Sequence, residues 1–368
     1  MATKPLMSEI LKETEAALRL ADSQDVSKMR EFLLAEPQKP MLFVGNGGMQ
    51  GHFPSLLYEQ NAGIARSITP FMLRSMSDEA LHSCRCLLMS DGGSSMDIKD
   101  ATKRMAEVNP ENTAGFTSSD DSDNVLLKKL GRDKVFIFPH TLDGGPEMKG
   151  FVSVTKQFYR DALFYKAFTG ESASEHLKVD LDPTHCYRYE LNHSDGSLTP
   201  LSAIQHFLVL YGGYGAPAAH YIESVLAESG MVSAQVTDYR NFCHGRFIFA
   251  SNHTRHNKIY KRKCDQSKNH ILPESDVAIL FLVSPNEKKI AENLRRTKDN
   301  PRYQALPDEV PVITIETDFD NPLAAIDLHI KSSVFVADLG ENYHGNNPFS
   351  PLNYNDVNKQ FPKNEVTW

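Results

Sequence analysis

The sequence predicts an α/β protein of two domains, each built on a doubly wound parallel sheet. Its 368 residues fit two domains, since a domain usually takes roughly 100–200 residues. Short apolar runs alternate with segments of helical spacing, and this alternation is typical of parallel strands joined by helices. Three of the runs end in turns rich in glycine or serine, at 45–48, 90–95 and 212–215.

The first half opens with helical spacing over residues 5–35, which Pro37 and Pro40 end. Short apolar runs then predict strands at 41–44, 68–73, 86–89, 113–116 and 135–138. Helical spacing between them predicts helices at 54–65, 77–81, 96–108 and 124–130. A long amphipathic helix is predicted at 152–169, and the polar stretch 170–200 that follows is the natural linker.

The second half repeats the plan of the first. Strands are predicted at 206–210, 235–237, 277–283 and 310–315, with helices at 217–230, 287–296 and 322–339. We therefore expect an internal duplication of topology. The predicted organisation is a helical segment 1–40, a first domain 41–150, a connecting helix and linker 151–200, a second domain 201–340 and a tail 341–368.

Composition excludes several classes of protein. The net charge of -8 argues against binding nucleic acid over the whole surface. No apolar run approaches the roughly 20 residues of a membrane helix, and residues 1–11 lack the pattern of a signal peptide. The five cysteines are odd in number and show no disulfide spacing, which favours a reducing compartment. We expect a cytoplasmic protein that does not bind membranes.

The segment from His82 to Cys86 holds one histidine and two cysteines and resembles a metal cluster. It leads directly into the apolar run 87–89, which favours a strand entry instead. We therefore predict neither a metal nor a cofactor.

The three turns are the candidate anion sites. Ligands of open parallel sheets bind at the carboxyl ends of strands, and such turns point backbone N–H groups and helix N-termini at an anion. A single glycine turn is as often structural as functional. Three turns at matching positions of the topology favour ligand binding.

These residues resemble the sugar isomerase (SIS) family, in particular the isomerase half of glucosamine-6-phosphate synthase and the fructosamine deglycases. The segment from Gly213 through Pro217 and Glu228 to His244 is similar to the family's second domain, in which a histidine–glycine pair follows a catalytic glutamate by sixteen residues. The turns 45–48 and 90–95 resemble its phosphate loops, and 147–156 resembles its inter-domain segment. The resemblance implies two flavodoxin-like αβα domains.

The resemblance also implies roles. Glu228 is the base that moves a proton between sugar carbons C1 and C2, and His244 opens the sugar ring, in its own or in a neighbouring subunit. The family's C-terminal lysine falls near Asn353, so Lys359 or Lys363 replaces it only if the tail is extended. The implied substrate-binding residues are Gly47, Gly48, Met49, Ser90, Asp91, Ser94, Ser95, Glu147, Ser153, Thr155, Lys156, Gly213 and Tyr214.

Plainer interpretations remain open for the key residues. Glu228 fits an exposed acid at a helix end, His244 a buried structural histidine, and Lys156 a solvated lysine on its helix. The family pattern is also altered, because Met49 replaces a phosphate-binding serine and Asp91 replaces a neutral amide. A fixed negative charge beside a phosphate weakens binding unless a cation intervenes.

The basic segment 252–273 has two interpretations, a solvated surface insertion or a lid over an anionic ligand. Only Tyr260 places an aromatic ring among its charges, which argues against nucleic acid.

We expect a sugar-phosphate or amino-sugar isomerase, deaminase or deglycase that acts by C1/C2 proton transfer as a homodimer or higher oligomer. Glutaminase activity is not expected, because the chain begins Met1-Ala2-Thr3 without a cysteine nucleophile. The alternative is a SIS module that has lost catalysis and senses or binds a sugar or nucleotide sugar. A scaffold that uses the fold only to oligomerise is a third possibility.

Overall fold

The computed structural model describes residues 6–47, 51–140, 154–190, 201–248, 276–295 and 310–343. The described residues from 13 to 178 form one compact unit, the N-terminal unit. Those of 6–12 and of 179–343 form a second one, the C-terminal unit. Each unit contains one five-stranded sheet.

The strands are β1 (Met41–Val44), β2 (Ala65–Ile68), β3 (Arg85–Met89), β4 (Thr113–Thr117), β5 (Val135–Ile137), β6 (Arg188–Glu190), β7 (His206–Tyr211), β8 (Ser233–Asp238), β9 (Val277–Val283) and β10 (Val312–Glu316). The helices are α1 (Met7–Leu11), α2 (Thr14–Ser23), α3 (Ser27–Leu34), α4 (His52–Asn61), α5 (Pro70–Leu73), α6 (Asp78–His82), α7 (Met96–Val108), α8 (Val125–Leu130), α9 (Val154–Thr169), α10 (Ala173–His176), α11 (Pro183–Cys186), α12 (Ala216–Ser229), α13 (Tyr239–Asn241), α14 (Lys288–Arg295) and α15 (Leu323–Asp338).

The sheet of the N-terminal unit is parallel throughout, with strand order β2-β1-β3-β4-β5. Met41 of β1 pairs with Ala65 of β2 on one side and with Arg85 of β3 on the other. This is the strand order of flavodoxin-like folds. The doubly wound sheet predicted for the first half is confirmed.

The sheet of the C-terminal unit has strand order β6-β10-β9-β7-β8. Its last four strands are parallel and repeat the order of the first sheet, so the predicted duplication of topology is confirmed. The fifth strand differs, because β6 runs antiparallel to β10 and precedes the other four in the chain. This short strand lies inside the polar stretch that the sequence predicts as linker.

Residues 151–200, predicted as one connecting segment, contribute described elements to both units. Helices α9 and α10 belong to the N-terminal unit, where α9 packs against α2 and α4. Helix α11 and strand β6 belong to the C-terminal unit.

Alternation of side chains along the strands places helices on both faces of each sheet. In β1, Leu42 faces the core formed with α7, whereas the ring of Phe43 packs against Phe164 of α9, with centroids 6.2 Å apart. Successive strand residues point to opposite faces, and both faces are apolar here because both are covered. The N-terminal unit is therefore an αβα sandwich.

The C-terminal unit is layered in the same way. Leu208 of β7 packs in the core that includes Leu294 of α14, while its neighbour Phe207 packs against Phe335 of α15, with ring centroids 5.7 Å apart. All seven residues of β9 are buried. The predicted fold class, two flavodoxin-like αβα domains, is confirmed.

One predicted element is wrong. Residues 68–73 were expected to form a strand, but β2 ends at Ile68 and helix α5 begins at Pro70. Thr69 caps this helix, because its Oγ1 accepts a hydrogen bond of 3.2 Å from the Met72 N–H. Proline at the first helical position, after a threonine cap, favours a helix start over an extended chain.

Candidate functional site

Two loops meet at the carboxyl edge of the N-terminal sheet, where the strand order reverses between β1 and β3. After β1, the amide of Asn46 donates a hydrogen bond of 3.3 Å to Asp97 Oδ2 on the first turn of α7. Gly47 follows with a positive φ of 54°. The reversal point of an open parallel sheet is where ligands usually bind.

The loop after β3, residues 90–95, is fixed by hydrogen bonds at both ends. Ser90 Oγ accepts the Gly93 N–H at 3.1 Å, and Ser95 Oγ caps α7 by accepting the Ile98 N–H at 3.4 Å. Gly93 has a φ of 61°, and a Cβ there would lie 1.9 Å from Asn124 Oδ1, so only glycine fits. The exposed Ser94 side chain lies beside the start of α7, whose first turn also carries Asp97.

Asp91, the acidic residue of this loop, has a cation beside it. Lys156 Nζ lies 3.0 Å from Asp91 Oδ2, and Ser118 Oγ donates to the other carboxylate oxygen. Lys156 lies on the first turn of α9, next to the buried Thr155. Asp91 and a phosphate are compatible only if a cation lies near both. Within the N-terminal unit, Lys156 is such a cation beside Asp91.

His140 is a candidate site residue that the sequence analysis missed. It follows β5, and its ring lies edge-on to Tyr159, one turn after Lys156 on α9, with centroids 5.1 Å apart. His140 Nε2 is buried and has no hydrogen-bond partner among the described residues. Burial and the Lys156 ammonium lower the pKa of His140 below its ordinary value, against the opposing effect of the Asp91 carboxylate.

A neutral imidazole with one buried, unpartnered nitrogen is a group that a ligand hydroxyl can satisfy. In sequence, His140 is a lone histidine after a short strand, and no motif distinguishes it. The signal that could have found it is positional: it follows the carboxyl end of a strand in the same sheet as the serine-rich loop.

Glu228 and His244 lie at opposite edges of the C-terminal sheet. Glu228 is the penultimate residue of α12, which runs back from the end of β7, and it accepts a hydrogen bond of 3.1 Å from Ser224 Oγ. His244 is in a π-helical turn after the end of β8, next to Gly245 with a φ of 130°. The six residues of β8 separate the two edges by roughly 17 Å. The sixteen-residue spacing therefore does not bring the two exposed side chains together within one chain.

The other predicted residues divide into two groups. The exposed Gly213 and the half-buried Tyr214 lie in the turn between β7 and α12, at the carboxyl edge of the C-terminal sheet. Outside the described residues lie Gly48, Met49, Glu147, Ser153, Lys363 and the basic segment 252–273.

The cysteine pair after His82 belongs to the core. Cys84 and Cys86 are buried, and burial raises the pKa of the Cys86 thiol, which keeps it protonated. Across the described ranges, no three His, Cys, Asp or Glu side chains are grouped so that they could hold a metal ion. No helix in the described part of the chain is long and apolar enough to span a bilayer.

Solved structures of similar fold include an isomerase and a deaminase of phosphorylated sugars. A tagatose-6-phosphate ketose/aldose isomerase from Escherichia coli superposes with a TM-score of 0.60 at 14% identity, over 94% of this chain and 95% of that one. A glucosamine-6-phosphate deaminase from Thermotoga maritima gives a TM-score of 0.60 at 12% identity, over 94% and 97%.

The C-terminal domain of glucosamine-fructose-6-phosphate aminotransferase from Francisella tularensis gives a TM-score of 0.56 at 13% identity, over 92% of this chain and 97% of that one. No protein-family model matches the chain, and no curated protein is similar to it in sequence. At such low identity the likeness establishes the fold alone. The chain has the two-domain SIS fold that the sequence resemblance predicted.

Proposed function

We propose that this protein binds a phosphorylated sugar or amino sugar at the carboxyl edge of the N-terminal sheet. The observation that carries the proposal is the pairing of Asp91 with Lys156 beside the serine-rich loop and the start of α7. When the phosphate enters, the Lys156 ammonium lies between two anions and stabilises both. His140 Nε2 then accepts or donates a hydrogen bond to a sugar hydroxyl.

The chemistry proposed for the bound sugar is proton transfer between C1 and C2, as in an isomerase, a deaminase or a deglycase, without glutamine as a nitrogen donor. Glu228 is the proposed base and His244 the proposed ring-opening group. Because the two lie at opposite edges of the C-terminal sheet, we propose that they come from different copies in a homodimer. The absence of an apolar spanning helix among the described residues and the cysteine content are consistent with a cytoplasmic enzyme.

The test compares binding and turnover across one panel of ligands. Phosphorylated hexoses, hexosamines and fructosamines are screened by thermal shift, because a ligand that binds the folded state raises its melting temperature. Each binder is then assayed for isomerisation and deamination. Glu228→Gln is expected to lower turnover by about 10²- to 10⁴-fold, the usual contribution of a general base, while leaving the binding affinity unchanged.

Glu223→Gln is the matched control, since Glu223 lies on the same helix and is not implied in catalysis. Full activity in the Glu228→Gln variant would remove Glu228 from the mechanism. Sedimentation velocity of the purified chain tests the homodimer.

The second candidate is a SIS module that binds its sugar ligand without turnover. The separation of Glu228 from His244 favours it, since one copy of the chain does not bring this proposed base and this proposed ring-opening group together. Saturable binding of a phosphosugar with no product over long incubation would establish it in place of the enzyme.

A further inference from the structure

The C-terminal unit has a cavity of its own at the carboxyl edge of its sheet. Its volume is about 570 Å³. The residues that bear on its chemistry are Tyr211, Gly212, Arg240, Asn286, Glu287 and Lys289. They come from the end of β7 and from the segments that follow β7, β8 and β9, so the cavity lies where the strand order of this sheet reverses.

Glu287 gives the cavity a fixed hydrogen-bond acceptor. The residue is buried, and its Oε2 accepts a hydrogen bond of 3.1 Å from the Ser284 N–H and another from Ser284 Oγ. The carboxylate lies against the turn after β7, because a Cβ on Gly212 would be 2.0 Å from Glu287 Oε1. Glycine at 212 is therefore what allows this carboxylate to reach the cavity.

The cations of the cavity are available to a ligand. Arg240 and Lys289 are exposed, and neither forms an ion pair within the described part of the chain. Asp238, the other acid that lines the cavity, caps a helix: its Oδ1 accepts hydrogen bonds of 2.9 Å from the N–H groups of Arg240 and Asn241, and its Oδ2 accepts one from the Asn241 amide.

Burial by itself raises the pKa of Asp238, but hydrogen bonds from the backbone N–H groups of Asn241 and Arg240 hold this pKa below its usual value. Asp238 thus stays ionised, with its lone pairs used inside its own turn. Neither Arg240 nor Lys289 forms a side-chain hydrogen bond with the Asp238 carboxylate.

We propose that this cavity is a second ligand site that takes a phosphorylated polyol. Arg240 and Lys289 bind the phosphate, for which guanidinium and ammonium groups are the usual partners. Glu287 Oε1 and the amide of Asn286 accept and donate hydrogen bonds to the hydroxyls, and the Tyr211 ring supplies an apolar wall. The site is separate from the serine-rich loop of the N-terminal unit and does not depend on the function proposed for it.

The experiment is isothermal titration of the full chain with glucose 6-phosphate. In the variant Arg240→Ala/Lys289→Ala, one saturable binding event for glucose 6-phosphate is expected to disappear or to weaken at least tenfold in affinity. Lys156→Ala, which alters the N-terminal unit, is expected to leave that event unchanged. Lys288→Ala is the matched control, because Lys288 precedes Lys289 on the same helix, is exposed and does not line the cavity.

The chemistry of the polyol is tested with a second variant and two probes. Glu287→Gln is expected to weaken the binding of glucose 6-phosphate to this cavity while leaving the binding of inorganic phosphate unchanged. The melting temperature of each variant without ligand shows that it is folded. The proposal is overturned if no binding event of the folded wild-type chain responds to Arg240→Ala/Lys289→Ala, or if Lys288→Ala weakens binding as much. Loss of this same event in Lys156→Ala would also overturn the proposal, whereas loss of a different event in Lys156→Ala is the result that the function proposed for the N-terminal unit predicts.

Discussion

The carboxyl edges of the two sheets share a serine-initiated loop but differ in the surroundings of the acidic residue in that loop. In each, the loop after the third parallel strand begins with a serine whose hydroxyl accepts a backbone N–H, from Gly93 at Ser90 and from Asn286 at Ser284. Each loop also holds one acid, Asp91 in the N-terminal unit and Glu287 in the C-terminal unit. The two acids are satisfied in different ways.

Asp91 finds its cation on another element. Its side chain is 47% exposed, and Lys156 reaches it from α9. Glu287 instead bonds within its own loop and is buried. A partly exposed ion pair contributes little to folding and can open for a ligand, whereas a buried acceptor for a backbone N–H is part of the fold. The two loops therefore hold their acids differently, Asp91 in a partly exposed ion pair with Lys156 and Glu287 in buried hydrogen bonds to Ser284.

The largest effect expected from this comparison is on ligand affinity. Lys156→Ala removes the cation between Asp91 and the phosphate, so the affinity for the preferred sugar phosphate should fall by about ten- to a hundredfold, the value of a lost charge-assisted hydrogen bond. Isothermal titration measures it.

Asp91→Asn is the matched change on the other partner. It removes the negative charge and frees Lys156, so the affinity should rise by a few-fold. Equal losses in the two variants would mean that the pair acts only as a structural unit and that the loop does not bind the phosphate.

The next effect is on stability and belongs to the C-terminal unit. Glu287→Ala leaves the buried Ser284 N–H without its acceptor, which should lower the free energy of unfolding by about 1–3 kcal/mol. Asp91→Ala, the counterpart in the other unit, should cost less than about 1 kcal/mol, as an exposed ion pair does. Urea unfolding monitored by circular dichroism measures both, and a larger loss in Asp91→Ala would reverse the distinction.

The smallest effect is a pH dependence from His140. Its pKa is lowered in the folded state by burial and by Lys156, so the unfolded chain binds the proton more readily below about pH 6.5. Stability should therefore fall as the pH drops through this range, and less steeply in His140→Gln. Parallel slopes for the two proteins between pH 7 and 5 would show that His140 titrates as it does in water.

The sequence predicts the architecture well because strands and helices leave local patterns. The run 277–283 is apolar throughout and forms the buried strand β9, and Met96–Val108 forms a helix with the predicted bounds. The wrong strand prediction at 68–73 also has a local cause. Thr69 and Pro70 are residues typical of a helix start, but the apolar residues around them favoured a strand.

The candidate site is harder to predict because its contacts join distant parts of the chain. The family resemblance implies both Asp91 and Lys156 as substrate-binding residues, but the two lie 65 residues apart and no local pattern indicates that they form an ion pair. The spacing of Glu228 and His244 left open whether His244 acts in its own or in a neighbouring subunit, and strand β8 between them places the two residues at opposite edges of the sheet. Strand β6 was missed because its three residues, one exposed and two half-buried, form no apolar run.

The central claim, that the serine-rich loop and Lys156 hold a phosphorylated sugar, is tested most directly by a crystal structure with such a ligand from the binding screen. We expect the phosphate at the start of α7, within hydrogen-bonding distance of Ser94 Oγ and Lys156 Nζ, with a sugar hydroxyl on His140 Nε2. A ligand bound only elsewhere, with this loop empty, would contradict it.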